Sequence, residues 1–328
     1  MNKKSITVKE VAARAGVSTA TISRVLNGDP KVRPETAEKV QKVIKESGYR
    51  MNQTARSLKT SRTHSVGIVA PEFKNDFFMS IVTGIEETLK NRGYSVILCS
   101  SQESTAEEKE RLKLLKEKNV DGTIIIPGSS SGKHFRLMGE TPVVLVDRLV
   151  RDFRSDAVLS DNFQGSYDAV RSAVDKGAAR FGFLGGDMDL TSARERYDGF
   201  MQACGDTGTA IDRNLILFGD YHEDSGYELM KKLMESPEPP GYIFISNYFM
   251  HLGAARYLLE AGRDFPGLHI ISFDDLPLAS FFPCISIIIA QPMVAIGSKA
   301  AELLLDRIKG DKGEVQTVRL PTSMRLLE

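Results

Sequence analysis

Two periodicities divide the chain. Between Thr7 and Gly48, apolar residues recur every three to four positions: Val8, Val11 and Ala12, then Ile22, Val25 and Leu26, then Ala37, Val40, Val43 and Ile44. That spacing gathers each set on one face of a helix. From residue 64 onward, short apolar runs alternate with amphipathic segments, the rhythm of strands and helices in a parallel sheet. The runs Val66–Ala70, Tyr94–Cys99, Gly122–Ile126 and Val143–Val146 predict strands, with helices over Phe77–Arg92 and about Glu103–Lys118. After residue 164 the rhythm restarts. Helices are predicted over Tyr167–Lys176, Glu195–Cys204, Ser225–Met234 and Met250–Ala261. Strands are predicted over Phe181–Leu184, Ile216–Phe218, Tyr242–Ile245 and His269–Phe273. Two βα runs of similar length imply an α/β body of two doubly wound subdomains behind an all-α head.

The head carries its own boundary signals. Thr7, with Glu10 three residues on, forms a capping box in which each side chain takes an exposed amide at the helix start. Gly16 supplies a turn, Val17 points inward, and Ser18 caps a second helix that stops at Asn27-Gly28. Pro34 opens a third helix that ends at Gly48. Two helices joined by a glycine turn make a helix-turn-helix. With Ile22, Val25 and Leu26 turned inward, Thr19, Ala20, Thr21, Ser23 and Arg24 face outward. That set suits the DNA major groove. Arg24 can bridge guanine O6 and N7, Ala20 can touch a thymine methyl, and Thr19 can hydrogen-bond or make a methyl contact. Ser18, Thr21 and Ser23 suit positioning on phosphates.

Charge sharpens the division. The 328 residues sum to zero, but residues 1–62 hold fourteen Lys/Arg against five Asp/Glu, a charge of +9, and the remainder carries −9. A basic head on an acidic body is the electrostatic footprint of a nucleic-acid module joined to something else. The length asks for two or three domains. No uncharged apolar run reaches about 18 residues, so no membrane helix is expected, and no secretory signal is expected at the start. Cys99, Cys204 and Cys284 are scattered and odd in number, which points to a reducing, cytoplasmic setting, and a DNA-binding head makes a nucleoid-associated place in it the expectation.

These segments resemble the LacI/GalR family of bacterial transcriptional regulators. The resemblance rests on Thr7–Gly28, on Ser47-Gly48-Tyr49-Arg50, on Asn52-Gln53-Thr54-Ala55-Arg56-Ser57-Leu58-Lys59-Thr60, and on Ser65-Val66-Gly67-Ile68-Val69-Ala70-Pro71. It runs over essentially the whole chain. It implies a DNA-binding head over 1–51, a hinge helix and linker over 52–63, and an effector-binding and dimerisation body over 64–328. The body is expected to have the periplasmic-binding-protein fold. Its N-subdomain would span about 64–163 and 291–320, and its C-subdomain about 164–290 and 321–328. In the family the hinge folds on the operator, pairs with its dimer mate in the minor groove and wedges a leucine into the central base step. Leu58 takes that leucine's place, with Asn52 and Arg56 in the DNA-contacting set. An apolar wedge of this kind unstacks a step and bends the duplex. Met51 stands where proline is common in the family, which leaves the start of this hinge less stiff.

Ligands of doubly wound sheets sit at the carboxyl ends of strands, here between the lobes. Phe77 and Phe78 open the helix after the first strand, where an aromatic face can stack on a sugar ring or a base. Asp147 ends strand Val143–Val146 and Asp274 ends strand His269–Phe273, both natural acceptors for vicinal hydroxyls. Arg196 offers a planar donor fork. These three resemble the family's ligand-contacting positions, as do Ser192, Asn247 and Gln291, and Asp161 beside the first crossover is a further candidate. Two departures bear on the ligand's identity. Tyr248 stands where the family usually has aspartate, and Ile287-Ile288-Ile289-Ala290 replaces a more polar segment. Tyr248 points to a pocket less adapted to a typical free hexose.

Catalytic readings find little support. Gly128-Ser129-Ser130-Ser131-Gly132-Lys133 looks like a phosphate-binding loop, but it is one residue short between its glycines, and His134 stands where Ser or Thr would hold magnesium. Gly182–Gly186 lacks dinucleotide spacing, and the five histidines lack metal spacing. No metal, cofactor or enzymatic activity is expected. The expected function is sequence-specific binding of double-stranded operator DNA by a homodimer, a repressor whose affinity is set by a sugar-like small molecule. The alternative is the same DNA-binding role under a protein or phosphoprotein co-regulator. No leucine-heptad tail follows the last predicted strand, so a dimer is expected and not a tail-assembled tetramer.

The wedge assignment has a direct test. Leu58→Ala is expected to reduce specific operator binding and the DNA bend together, leaving non-specific, salt-dependent binding nearly intact. Equal losses on operator and random duplexes would remove Leu58 from the central step.

Overall fold

The computed structural model describes residues 6–26, 29–49, 62–262 and 264–327. The chain divides into two compact units, 1–63 and 64–328. The first unit holds helices α1 Val8–Ala15, α2 Thr19–Leu26 and α3 Pro34–Ser47. The capping box forms: Thr7 N–H donates to Glu10 Oε2 at 2.7 Å and Glu10 N–H to Thr7 Oγ1 at 3.3 Å. Gly16 turns the chain in the left-handed region at φ 63°, a conformation costly for a residue with a Cβ. The small core is Val11, Ala12, Ala15, Ile22, Val25 and Val40. Of the predicted stripe on α3 only Val40 is fully covered, with Ala37, Val43 and Ile44 packed around it half-buried. The stop at Asn27-Gly28 lies outside the described residues, as does the hinge.

The second unit contains two six-stranded sheets. Its strands are β1 Ser65–Ala70, β2 Ser95–Ser100, β3 Gly122–Ile125, β4 Val143–Val146, β5 Asp156–Ser160 and β6 Phe181–Gly185. They continue with β7 Ile216–Phe218, β8 Tyr242–Ile245, β9 His269–Phe273, β10 Ile285–Ala290, β11 Thr317–Leu320 and β12 Ser323–Leu326. One sheet runs β11-β5-β4-β3-β1-β2 and the other β12-β10-β9-β8-β6-β7. Pairing is parallel throughout except for the antiparallel β10–β12 ladder. The order places a strand from the end of the chain in each sheet. The chain therefore crosses between lobes three times: at Asp161 after β5, at Gln291-Pro292 after β10, and at Pro321-Thr322 between β11 and β12.

Seven helices flank these sheets: α4 Asp76–Lys90, α5 Thr105–Glu117, α6 Asn162–Asp175, α7 Thr191–Asp206, α8 Glu223–Met234, α9 Tyr248–Glu260 and α10 Met293–Lys309. Neighbouring helices approach to backbone contact. A Cβ at Gly297 on α10 would run into the Ile81 carbonyl of α4, and one at Gly253 on α9 into the Glu223 carbonyl of α8. Among the described residues no helix is long and apolar enough to cross a membrane.

Some boundaries differ from the sequence pattern, with local causes. The pattern passes over β5 because the strand is short and opens on a buried aspartate. Asp156 is held from α10 by Arg307, Nε to Oδ2 at 2.6 Å and Nη2 to Oδ1 at 2.9 Å, and takes the Gln316 N–H at 2.8 Å. Helix α7 starts at Thr191, a turn before the predicted Glu195, because its N-cap Leu190 has no side chain that could mark the boundary. Helix α9 starts at Tyr248 behind Asn247, whose Oδ1 takes the Met250 N–H at 3.0 Å.

One buried group gives the fold a pH dependence. His251 on α9 is fully buried, edge-on to Phe282 at 4.7 Å, with neither ring nitrogen hydrogen-bonded. Burial pulls its pKa from 6.5 down to about 3. The unfolded chain regains the ordinary value and so binds an extra proton between pH 6.5 and 3. Stability from this group is intact above that window and is lost as pH falls through it. Denaturant titrations from pH 7.5 to 5 are expected to show a steeper loss in the parent than in His251→Leu, by up to about 1.4 kcal/mol per pH unit. Parallel curves would show that His251 takes up no proton on unfolding.

Candidate functional site

The outward face of α2 is built as its periodicity requires. Ile22 and Val25 are buried, whereas Ser18, Thr19, Ala20 and Arg24 are exposed and Thr21 and Ser23 are half-exposed. Ser18 caps the helix: its Oγ takes the Thr21 N–H at 3.1 Å and lies 3.0 Å from Thr21 Oγ1. Arg24 makes one loose contact, Nε to Asp29 Oδ2 at 4.0 Å, with its side chain 66% exposed. An exposed pair of that length holds an arginine weakly, so the guanidinium is available to a base edge. Asn52, Arg56 and Leu58 lie outside the described residues.

In the second unit a cavity of about 310 Å³ lies at the carboxyl ends of the strands. Eight of the nine predicted effector residues line it: Phe77, Phe78, Asp147, Ser192, Arg196, Asn247, Asp274 and Gln291. Asp161 does not. It caps α6 by accepting the Gln164 N–H at 3.2 Å, so its carboxylate serves the crossover and not the cleft.

Two aspartates face each other from the two lobes. Asp147 follows β4 with φ 67° and Asp274 follows β9 with φ 76°. Asp147 Oδ2 accepts from Arg148 Nε at 3.2 Å, and its Oδ1 is buried without a partner. Asp274 Oδ1 accepts from Gln291 Nε2 at 2.6 Å and its Oδ2 takes the Tyr248 N–H at 3.2 Å. Gln291 Oε1 is left buried and unpartnered. Burial raises the pKa of both carboxyls, with Arg148 and then Arg196 opposing it at Asp147, and Arg196 first at Asp274.

Arg196 is a buried fork and not a surface ion pair. Its Nε donates to Asn162 Oδ1 at 2.8 Å, its Nη1 donates to the Ser246 carbonyl at 2.5 Å, and its guanidinium lies 4.1 Å from the Phe273 ring centroid. Asn247 is held at both ends, capping α9 and donating Nδ2 to the Tyr221 carbonyl at 3.0 Å. Phe77 and Phe78 both belong to the core of the first lobe and meet the cavity at its wall, edge to face with centroids 5.4 Å apart.

The sequence pattern missed several lining residues. Arg148 is adjacent to Asp147, yet nothing in its spacing marks it as buried. Tyr221 sits in a loop at φ 69°, with its ring over Gly186. Its hydroxyl faces Ser246 Oγ, but neither makes a hydrogen bond of ordinary geometry. Glu72, Asn75, Glu103 and the stretch His222–Asp224 complete the mouth.

Contacts from both lobes close around the cavity. Tyr248 and Leu276 pack into the core of the first lobe, Leu149 N–H donates to Thr191 Oγ1 at 2.9 Å, and Arg319 forks onto Glu195 at 2.6 and 3.0 Å. The glycine-rich loop after β3 is occupied differently from a phosphate cradle. Gly128 N–H donates to buried Glu108 Oε1 at 3.0 Å, and His134 Nε2 lies 2.5 Å from Glu108 Oε2. A carboxylate already fills the place a phosphate would take. Among the described residues, no group of His, Cys, Asp or Glu is arranged to hold a metal ion.

Comparison with known proteins agrees with this geometry. Residues 7–52 match the family described as bacterial regulatory proteins, lacI family, and residues 63–327 match periplasmic binding proteins and sugar binding domain of LacI family. Catabolite control protein A of Priestia megaterium is 32% identical over 321 residues, covering 97% of each chain. The HTH-type transcriptional repressor PurR of Actinobacillus pleuropneumoniae is 32% identical over 313 residues, covering 94% of this chain and 93% of its own. A solved complex of the transcriptional regulator CelR with cellobiose is 29% identical with a TM-score of 0.73, covering 98% of both chains. A capped helix-turn-helix head joined to a two-lobed body, matched over nearly its whole length, establishes that this chain belongs to the LacI family of DNA-binding transcriptional regulators.

Proposed function

We propose that this chain is a homodimeric repressor whose hold on operator DNA is set by a hydroxyl-rich small molecule bound between the lobes of its body. The observation that carries the reading is a cleft with acceptors shut away from water and left without donors, Asp147 Oδ1 and Gln291 Oε1. A buried unpaired acceptor costs about 1–3 kcal/mol, and a ligand hydroxyl relieves it. The similar regulator solved with cellobiose supports a saccharide, and the similarity to the repressor PurR supports repression. Two recognition helices on a palindromic site account for a dimer. The reading places the protein on the nucleoid in the cytoplasm and assigns it no catalysis.

Control follows from linkage. A ligand that favours one arrangement of the lobes changes operator affinity by the factor by which operator changes ligand affinity. The defining experiment measures operator binding by the full-length protein against a panel of free saccharides and nucleosides. A change in operator affinity with one member supports the reading. A flat response across the panel, together with a protein partner that alters operator affinity, overturns it in favour of a protein co-regulator.

Two variants separate the parts. Arg24→Ala is expected to cost about 1–3 kcal/mol in operator binding and to relax preference at one base pair per half-site. Uniform weakening across all base substitutions would make Arg24 a phosphate contact. Asp274→Asn is expected to move the effector midpoint by roughly one to two decades, because a charge-assisted hydrogen bond contributes about 1.5–3 kcal/mol. A lower melting temperature with the midpoint in place would show that Asp274 serves the fold alone.

A further inference from the structure

The cleft has an unbalanced inventory of charge and hydrogen-bonding groups. Two of its buried, unpartnered atoms, Asp147 Oδ1 and Gln291 Oε1, accept and do not donate, and a third, the Tyr221 hydroxyl, can do both. Both arginines that line it are already engaged at Nε and Nη1. Arg148 donates Nε to Asp147 and Nη1 to the Pro127 carbonyl at 3.1 Å, with Nη2 3.8 Å from Glu103. Arg196 is taken by Asn162, the Ser246 carbonyl and the face of Phe273. No lysine lines the cavity, whereas Glu72, Glu103, Asp147 and Asp274 do, and Glu223 and Asp224 at the mouth are answered by Arg256.

Helix termini do not reverse this balance. The starts of α4 and α9 are occupied by the side chains of Asn75 and Asn247, each accepting a first-turn amide at 3.0 Å. The start of α7 lacks a side-chain cap, but a single helix terminus stabilises an anion only weakly. A phosphate carries about −1.5 to −2 charges at neutral pH, and burying it beside the carboxyls of Glu72, Glu103, Asp147 and Asp274 is unfavourable. The cavity, about 310 Å³, stands at the small end of the ~300–1,000 Å³ typical of ligand pockets.

Resting on the small-ligand reading above, we propose that the cleft selects the free form of a single-ring, donor-rich ligand and rejects its phosphate ester. The filter is the set of acceptors Asp147, Asp274, Gln291 and Glu103. Hydroxyl and amine hydrogens meet Asp147 Oδ1 and Gln291 Oε1, whereas an ester oxygen there would face another acceptor across the gap. The protein thereby distinguishes a sugar or nucleoside from its phosphorylated derivative.

Isothermal titration of the full-length protein with matched pairs tests this: D-ribose and ribose 5-phosphate, D-glucose and glucose 6-phosphate, D-glucosamine and its 6-phosphate, adenosine and AMP. The expected result is binding by at least one free member, with its ester at least 100-fold weaker. Glu103→Lys is expected to narrow that ratio by about tenfold or more. An ester that binds as tightly as its free partner, or a ratio unmoved in Glu103→Lys, overturns the filter while leaving a small-ligand site in place. Silence across every pair overturns the small-ligand reading itself, and the filter falls with it.

Discussion

The effector body depends on two aspartates held in a backbone conformation that only glycine adopts freely. Asp147 and Asp274 each continue a strand by one ladder bond, N–H to the Val158 carbonyl at 3.0 Å and to the Ile289 carbonyl at 2.9 Å. Each then turns left-handed, at φ 67° and 76°. Such a residue carries of order 1–3 kcal/mol of strain and persists only where its surroundings over-determine it. The ladder bond on one side and the side-chain partners on the other do so here. The turn brings a carboxylate back over the strand end and into the cavity from each lobe. Of the eight non-glycine residues with positive φ among the described residues, Glu103, Asp147, Tyr221 and Asp274 line this one cleft. Strain is concentrated around this cleft.

That geometry joins the pocket to a crossover between the lobes. Asp274 is bonded to Gln291, which stands on the crossover between β10 and α10, and to the first amide of α9. Helix α10 packs on α4 of the first lobe at backbone distance through Gly297. A group that satisfies Gln291 Oε1 therefore acts on a strand connection, and the connection is continuous with a helix that cannot slide without breaking close contact. A substitution at Asp274 would loosen this connection, because the same carboxylate holds Gln291 and the first amide of α9.

Much of this was legible in the sequence because it rests on local rules. The capping box Thr7–Glu10, the glycine turn at 16 and the inward stripe Ile22–Val25 are each set within a few residues, and the structure reproduces them. Asp147 and Asp274 were visible because they stand at the ends of the predicted strands Val143–Val146 and His269–Phe273. Strand β5 was not, since its first residue is a buried Asp156 whose partner Arg307 lies 151 positions away. Arg148 and Tyr221 were missed for the same kind of reason: Arg148 is held by the Pro127 carbonyl and Tyr221 lies over Gly186, contacts distant in sequence that no periodicity in one segment encodes. Asp161 shows the converse. A carboxylate at a crossover has the right address for a ligand, yet the nearest unsatisfied donor is the start of its own helix, and that local claim wins.

Closure of the cleft rests on interactions of unequal strength. Arg151–Asp189 spans 3.6 Å between side chains 62% and 70% exposed, and pairs of that kind contribute about 0–1 kcal/mol. The bidentate Arg319–Glu195 pair is better shielded and holds one side more firmly. Tyr248 and Leu276 add apolar area against the first lobe. Against these stand the unpaired acceptors Asp147 Oδ1 and Gln291 Oε1 and the carboxyls gathered in the cleft. Each unpaired acceptor costs about 1–3 kcal/mol. A ligand that supplies donors removes the opposing set alone, and a differential of that size is what shifts a two-state balance by the decades a regulator needs.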